Sequence, residues 1–258
     1  MGQIVVFHGI SHRAGCTMTA QSVAELAATE KKELTVLFAA LNGRKSAEYM
    51  GEKTVSVDEF KIQLKSGIGI DKSMLGSSKK IDNLYIISGV EREEETRSFV
   101  PDMAEVLVQS LADKFDLIVI DSGSEIDNGL AYGAVKMKGL KYLVMEQTES
   151  SIKRYENMRE IYEKLDIGFD KYVLSKHYSD DPLTANYISL RLSINRSSIF
   201  EIGYSDRGRT AEIEYRTLLD TGQDKYRSDI LKVANDVMRT MNLDNISLRR
   251  RRSWNSFI

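Results

Sequence analysis

Residues 3–29 read QIVVFHGISHRAGCTMTAQSVAELAAT, and this stretch decides the fold prediction for the whole chain. Ile4–Phe7 is a short, continuous apolar run, which is typical of a strand buried on both faces of a parallel sheet. Gly9 and Gly15 bracket a turn, and small apolar residues then recur at helical spacing from Ala20 onward. We therefore predict a strand, a glycine-containing loop and a helix. In such a unit the loop amides and the helix N-terminus converge on a spot the size of an anion.

The loop is an incomplete Walker A motif. That phosphate-binding pattern is G-x-x-x-x-G-K-[ST], in which the lysine reaches the outer phosphates and the hydroxyl binds magnesium. Residues 9–17 read GISHRAGCT, so both glycines and Thr17 are present, whereas Cys16 stands in the lysine position. The predicted cofactor-binding residues are Ser11, His12, Arg13, Ala14, Gly15, Cys16, Thr17 and Met18.

Several of these residues have competing interpretations. Arg13 either offers a cation to a phosphate or is a solvated loop arginine. His12 is either a second phosphate contact or an ordinary loop residue. Thr17 is either a magnesium ligand or a plain residue of the first helical turn. No sequence feature nominates a base for a nucleophilic Cys16, so we interpret it as a small neutral replacement for lysine.

The bulk composition describes a globular protein without a strong charge bias. The chain has 258 residues, of which 42% are hydrophobic and 29% charged, and its net charge is −2. This charge balance predicts no specific nucleic-acid partner. The single cysteine excludes an internal disulfide and a cysteine-based zinc site. No apolar run approaches the ~20 residues of a membrane span, and no signal peptide is evident, so we expect a cytoplasmic protein.

Strand and helix patterns alternate along the chain. Acidic residues 91–95 read as a solvated surface, and residues 68–80 as irregular. Predicted strands cover residues 4–7, 34–41, 84–88, 115–121, 142–146, 172–175 and 199–203; predicted helices cover 19–29, 56–66, 101–111, 150–165, 183–192 and a last helix capped by Ser228. The alternation predicts an α/β fold, a mostly parallel sheet of about seven strands covered by helices on both faces in three Rossmann-like layers. We expect one domain over residues 1–245 and a basic, aromatic tail over 246–258.

Asp121 ends the clearest strand, residues 115–121, which read FDLIVID. An acid at the carboxyl end of a strand beside a phosphate loop is placed to orient magnesium. The alternative is an acid that only caps the next segment. Thr17 and Asp121 are therefore the predicted metal-site residues.

These motifs and their order resemble the ParA/MinD group of deviant-Walker P-loop ATPases, most closely its atypical pilus-assembly and polar-localisation members (TadZ/CpaE-like). The resemblance covers nearly the whole chain. Residues 143–154 (LVMEQTESSIKR) are similar to the strand and helix that follow Walker B, residues 172–178 (YVLSKHY) to the strand that borders the adenine, and residues 197–206 (SSIFEIGYSD) to the late strand and its loop. The resemblance implies ATP and Mg²⁺ as cofactors and a homodimer with nucleotide between its two copies.

The chain also departs from the family pattern. The two loop lysines of the family are replaced by Ser11 and Cys16, and two of its glycines by His12 and Arg13. Ala40 stands where the family has an aspartate in the second strand, with Asn42 in place of a second acid, and Ser175 where it often has an adenine-contacting asparagine. Since phosphoryl transfer depends on charge stabilisation and positioning, we expect ATP hydrolysis to be slow or absent.

Three functional hypotheses remain open at this stage. The first is a nucleotide-binding localisation or assembly factor, acting in pilus or secretion assembly or in polar positioning. The second is a pseudo-ATPase scaffold that binds no nucleotide. The third is an active partitioning ATPase in which Arg13 or a partner's residue replaces the lysine.

The C-terminal residues 248–258 read LRRRRSWNSFI. Arg249–Arg252 followed by aromatic and apolar residues can hold a segment at an anionic membrane surface or at pilus or secretion machinery. Such docking would place the protein at the inner membrane face. The alternatives are non-specific nucleic-acid binding and a terminus that binds nothing.

Overall fold

A single parallel sheet of eight strands organises the described part of the chain. The computed structural model describes residues 2–44, 46, 54–78, 81–221 and 224–247, with the side chains of residues 77 and 78 left aside. The strands are β1 (Gln3–Gly9), β2 (Val36–Ala40), β3 (Val55–Ser56), β4 (Leu84–Ser88), β5 (Leu117–Asp121), β6 (Leu140–Glu146), β7 (Lys171–His177) and β8 (Ile199–Gly203). They pair in the order β3-β4-β2-β5-β1-β6-β7-β8.

Helices connect the strands and lie on both faces of the sheet. They are α1 (Cys16–Glu30), α2 (Lys61–Lys65), α3 (Pro101–Leu111), α4 (Gly129–Lys136), α5 (Glu149–Lys164), α6 (Ala185–Leu192), α7 (Gly208–Ile213) and α8 (Asp224–Thr240). Short 3₁₀ turns occupy Val57–Phe60, Lys72–Ser78, Glu93–Ser98, Arg196–Ser198 and Leu218–Thr221.

Alternate side chains along the strands pack into two separate apolar cores, one on each face of the sheet. In β1, Ile4 and Val6 join the core that α2–α6 cover, whereas Val5 and Phe7 join the core that α1, α7 and α8 cover. All four side chains are nearly inaccessible to solvent. A strand that buries both faces must be apolar at every position, which explains why the strand signals in the sequence are continuous runs.

The register of the central strands brings the ends of β1, β2 and β5 together. Phe7 and Ala40 both lie opposite Asp121, and Gly9 lies opposite Val144 of β6. Strands that run in one direction end at one edge of the sheet. The loop after β1 therefore emerges beside Asp121, at the edge where open α/β sheets bind ligands.

The predicted fold class is confirmed, with eight strands rather than about seven. The additional strand, β3, has two residues, too few to produce a recognisable pattern. The short helices α4 and α7 were not predicted either. Residues 56–66 were predicted as one helix. They contain the last residue of the two-residue β3, then a 3₁₀ turn and the five-residue α2.

Two details of the helix predictions were wrong. Ser228 does not cap the last helix, because α8 begins at Asp224 and Ser228 lies within it. Helical spacing within the predicted helix 150–165 predicts an inward stripe that includes Ile152 and Ile161, but Ile161 is 42% exposed. It lies nine residues after the buried Ile152, and about 100° per residue places it on the opposite side of α5.

The described part of the chain ends with Ser247. Asn235 of α8 exchanges hydrogen bonds with the backbone of Ile246, whose side chain is buried. The predicted division at residues 245/246 remains a prediction, and Arg249–Arg252 lie outside the described residues. No helix within the described ranges has the length and apolarity needed to cross a membrane.

Candidate functional site

Three side chains from other parts of the chain hold the loop between β1 and α1. Arg154 Nε donates to the carbonyl of Ile10 at 2.8 Å, Lys176 Nζ to that of Arg13 at 2.8 Å, and Ser175 Oγ to that of Ala14 at 2.5 Å. Two further loop carbonyls, those of residues 11 and 15, accept backbone amides within the loop and the helix. The carbonyls of residues 10, 11, 13, 14 and 15 are thus all hydrogen-bonded within the protein.

The amides at the start of α1 have no such engagement. Within the part of the chain that the structure describes, the N–H groups of Gly15, Cys16, Thr17 and Met18 meet no backbone or side-chain acceptor. The first turn of α1 contains no acidic residue either. Four converging donors at the positive end of a 15-residue helix favour an anion.

Left-handed backbone conformations give the loop its curvature. Gly15 has φ 84°, which glycine adopts without strain, and it precedes the helix directly. Arg13 has φ 63°, which is uncommon for a residue with a side chain. Turns with left-handed residues occur in loops whose successive amides bind anions.

Asp121 lies behind the loop as the centre of a buried hydrogen-bond cluster. Its two oxygens accept from Thr17 Oγ1 at 2.7 Å, the Gly123 amide at 3.0 Å, Asn42 Nδ2 at 3.1 Å and Cys16 Sγ at 3.3 Å. Burial raises the pKa of Asp121, and these four hydrogen bonds oppose the rise. The cluster ties the start of α1 to the ends of β2 and β5.

Cys16 is a neutral, inaccessible group in this cluster. Burial, followed by the neighbouring charge of Asp121, raises the pKa of its thiol well above the usual range. Its Sγ donates to Asp121 instead of pointing into the open loop. A thiol held in this state is a poor nucleophile, in agreement with its interpretation as a small neutral replacement.

Ala40 and Asn42 contribute unequally to the site. Ala40 is fully buried at the end of β2, so only a methyl group stands where the family resemblance implies an aspartate. Asn42 instead reaches Asp121, and its Oδ1 accepts the Arg44 amide at 3.0 Å. The second strand therefore delivers an amide to the site and no carboxylate.

A cleft of about 680 Å³ opens in front of the loop. This volume lies within the range of small-molecule and cofactor sites. The cleft runs along the edge of the sheet between two groups of lining residues. We call the part near the ends of β1, β2 and β5, lined by the loop, Asn42, Arg44 and residues 123–125, its inner end, and the part near the end of β8, lined by Ile202–Asp206, residues of α7 and Tyr226, its outer end. All the predicted cofactor-binding residues, Ser11, His12, Arg13, Ala14, Gly15, Cys16, Thr17 and Met18, line the cleft.

No protein-family model and no curated protein matches the sequence. Solved structures do match the fold. A ParA family ATPase from Chlorobium tepidum TLS superposes with a TM-score of 0.78 at 15% identity, over 90% of this chain and 97% of that chain. The chain has the ParA/MinD fold.

Two structures with this fold contain nucleotides. The septum site-determining protein MinD from Pyrococcus horikoshii, complexed with Mg-ADP, matches with a TM-score of 0.70 at 15% identity over 93% of this chain and 97% of its own. An ATP complex of a Cyanothece McdA variant matches with a TM-score of 0.73 at 14% identity over 96% of this chain and 99% of its own. At these identities the likeness describes the fold.

The residues present fit a phosphate and a magnesium ion in part. The Thr17 hydroxyl donates a hydrogen bond to Asp121, so the lone pairs of Thr17 Oγ1 remain for a cation. Mg²⁺ in such sites takes its other ligands from phosphates and water. The loop offers amides to a phosphate, but Cys16 offers no positive charge to it.

Several residues that shape the site were not predicted from the sequence. Arg154 and Lys176 come from α5 and β7, and no motif links them to the loop. Glu125 was also missed, although it contacts His12 Nε2 directly and lies 3.8 Å from the Arg44 guanidinium. The His12 side chain therefore pairs with a carboxylate of this chain, a role that was not among its predicted ones.

His8 lies one residue before the loop and is fully buried. Ser122 Oγ donates its hydrogen to the Phe7 carbonyl. His8 Nδ1 lies 3.0 Å from the same Ser122 Oγ and is therefore the donor in the hydrogen bond between His8 and Ser122. Its Nε2 then carries a lone pair with no partner among the described residues. Burial lowers the pKa of His8 from 6.5 to about 4.

We predict that His8 makes the protein sensitive to acid. The unfolded chain binds a proton below pH 6.5 while folded His8 stays neutral, so stability falls as the pH drops from 6.5 toward 4. His8→Phe keeps the ring stack on Phe169 and removes the titration. Urea unfolding at several pH values should show the wild type losing about 3 kcal/mol more than the variant between pH 7 and 4. Parallel pH profiles of the two proteins would contradict this assignment.

Proposed function

We propose that the protein is a nucleotide-binding localisation or assembly factor with weak or no ATP hydrolysis. The observation that carries the proposal is the set of amides from Gly15 to Met18, which converge without acceptors among the described residues on the inner end of the cleft. A polyphosphate would accept from them, with its outer phosphates toward Thr17 and Asp121. Mg²⁺ bound there would neutralise phosphate charge.

The other residues of the site would bind and orient the ligand. Arg13 and Arg44 line the cleft and would offer cations to the phosphates. Asp121 would hold the Thr17 hydroxyl with its lone pairs turned to the metal. The outer end, with Tyr204 and Ile202, would receive the base.

Weak hydrolysis is proposed because the charges that assist phosphoryl transfer are missing. Removing one group that stabilises transition-state charge typically costs about 3 kcal/mol of barrier. Cys16 supplies no cation, and Ala40 supplies no group to position the attacking water. These substitutions preserve the loop shape, which rests on backbone groups and on Arg154, Ser175 and Lys176.

The cellular role is proposed from the fold and from the predicted assembly. Structures with this fold include a septum site-determining protein. We propose that nucleotide shifts an equilibrium between monomer and homodimer, and that the dimer docks on pilus or secretion machinery or on the inner membrane face. Arg249–Arg252 would contribute to that docking through their charge.

The second candidate is a pseudo-ATPase scaffold that binds no nucleotide. The contact of Glu125 with His12 favours it, since a carboxylate of the chain already occupies a hydrogen-bonding position of the His12 imidazole at the inner end of the cleft. An active partitioning ATPase, with Arg13 or a partner's residue in place of the lysine, is the third candidate.

Binding separates the first two candidates. We expect Mg·ATP to raise the melting temperature, because a ligand at a hundred times its Kd adds about 2.7 kcal/mol to the free energy of unfolding. For a chain of this length that corresponds to roughly 5–10 °C. Differential scanning fluorimetry measures the shift, and adenosine, which has no phosphates, serves as the control. An unchanged melting temperature up to several millimolar Mg·ATP would support the scaffold.

Turnover separates the first and third candidates. We expect no phosphate release from Mg·ATP above background, with or without anionic vesicles, since Cys16 and Ala40 supply no catalytic groups. The measurement is continuous phosphate detection over many equivalents of ATP. Thr17→Ala is the control, because any turnover that it leaves unchanged comes from a contaminating ATPase. Multiple turnovers that Thr17→Ala abolishes would establish an active enzyme.

A further inference from the structure

The inner end of the cleft contains an ion-paired carboxylate that no part of the proposed binding mode uses. Glu125 Oε1 contacts His12 Nε2, and its Oε2 lies 3.8 Å from the guanidinium of Arg44. Ser124 Oγ lies 3.3 Å from His12 Nδ1, so residues 124 and 125 hold both nitrogens of that imidazole. We call His12, Arg44, Ser124 and Glu125 the Glu125 latch.

The latch joins three loops that all surround the inner end of the cleft. His12 belongs to the loop before α1, Arg44 follows β2, and Glu125 follows β5 four residues after Asp121. Each of these side chains lines the cleft. The carboxylate therefore lies where the outermost phosphate of a bound polyphosphate would seek cations.

From this placement we propose that Glu125 is an internal competitor for the outer phosphate, which holds His12 and Arg44 in the empty cleft and disfavours triphosphates. The proposal rests on the proposed nucleotide binding and adds its regulation. A phosphate that approaches Arg44 and His12 has the same charge as Glu125, and like charges at close range disfavour association.

The contacts that hold Glu125 in the latch are weak enough to be broken by a ligand. The His12 and Glu125 side chains are 53% and 40% exposed, and ion pairs in such positions hold weakly. The segment that carries Glu125 begins at Gly123, which has a φ of 67° and whose backbone N–H donates a hydrogen bond to the Asp121 carboxylate, so this end is fixed to the site. It ends at Asn128, which caps α4 through the Ala131 amide. Releasing Glu125 would therefore free the surface segment 124–127 between two fixed ends.

The test compares nucleotide affinities of four full-length proteins by isothermal titration calorimetry with Mg·ATP, Mg·ADP and AMP. Glu125→Gln removes the charge and keeps the size, and Glu125→Ala removes the contact to His12 as well. Glu105→Gln is the matched control, because Glu105 is an exposed glutamate of α3 that does not line the cleft. Neither of the two positions changed is buried, so the fold should tolerate all three substitutions.

We expect both Glu125 variants to bind ATP at least about tenfold more tightly than the wild type, with a smaller gain for ADP and none for AMP. Glu105→Gln should bind ATP like the wild type. Equal ATP affinity in all four proteins would overturn the latch and leave nucleotide binding in place. Absence of binding by every protein would instead contradict the proposed function and, with it, the latch.

Discussion

The binding of the loop carbonyls by side chains outside the loop is the interaction on which the site depends. Arg154, Ser175 and Lys176 each donate to one carbonyl of residues 10–14. A peptide group whose carbonyl is turned outward has its amide turned inward, because the two lie on opposite sides of a planar unit. The contact from Ser175 to the Ala14 carbonyl thus sets the direction of the Gly15 amide, and the amides of residues 16–18 lack intrahelical partners because they open α1. Neither depends on a side chain in the lysine position.

This arrangement explains how the loop can tolerate Cys16. In the complete motif a lysine adds charge to a shape that the backbone already provides. Here the thiol turns back to Asp121 and joins Thr17 and Asn42 in a buried cluster. The site therefore retains the groups that hold a phosphate by hydrogen bonds. It lacks the lysine, which would neutralise the negative charge that develops on the phosphates during hydrolysis. Nucleotide binding depends on the hydrogen-bonding groups that are present, whereas ATP hydrolysis depends on the charged group that is missing. This difference is the physical basis for proposing nucleotide binding with little hydrolysis.

The parts of the fold that could be predicted from sequence are those in which burial on both sides forces a continuous apolar run. Strands β1, β2, β4 and β5 were located this way, and so was the placement of Asp121 at a strand end. The two-residue β3 and the six-residue α7 were not located from the sequence, because such short segments show no recognisable hydrophobic periodicity. The predicted loop residues all line the cleft. Arg154 and Glu125 were missed because their contacts with the loop span more than a hundred residues of sequence.

The proposed anion site at the amides of Gly15, Cys16, Thr17 and Met18 can be tested at those atoms. Amide chemical shifts, followed by two-dimensional NMR during a titration with Mg·ATP, report on each N–H separately. We predict that these four amides shift most, move downfield as they donate to phosphate, and saturate with a single Kd. Shifts confined to residues 202–212, with residues 15–18 unmoved at saturation, would contradict this prediction.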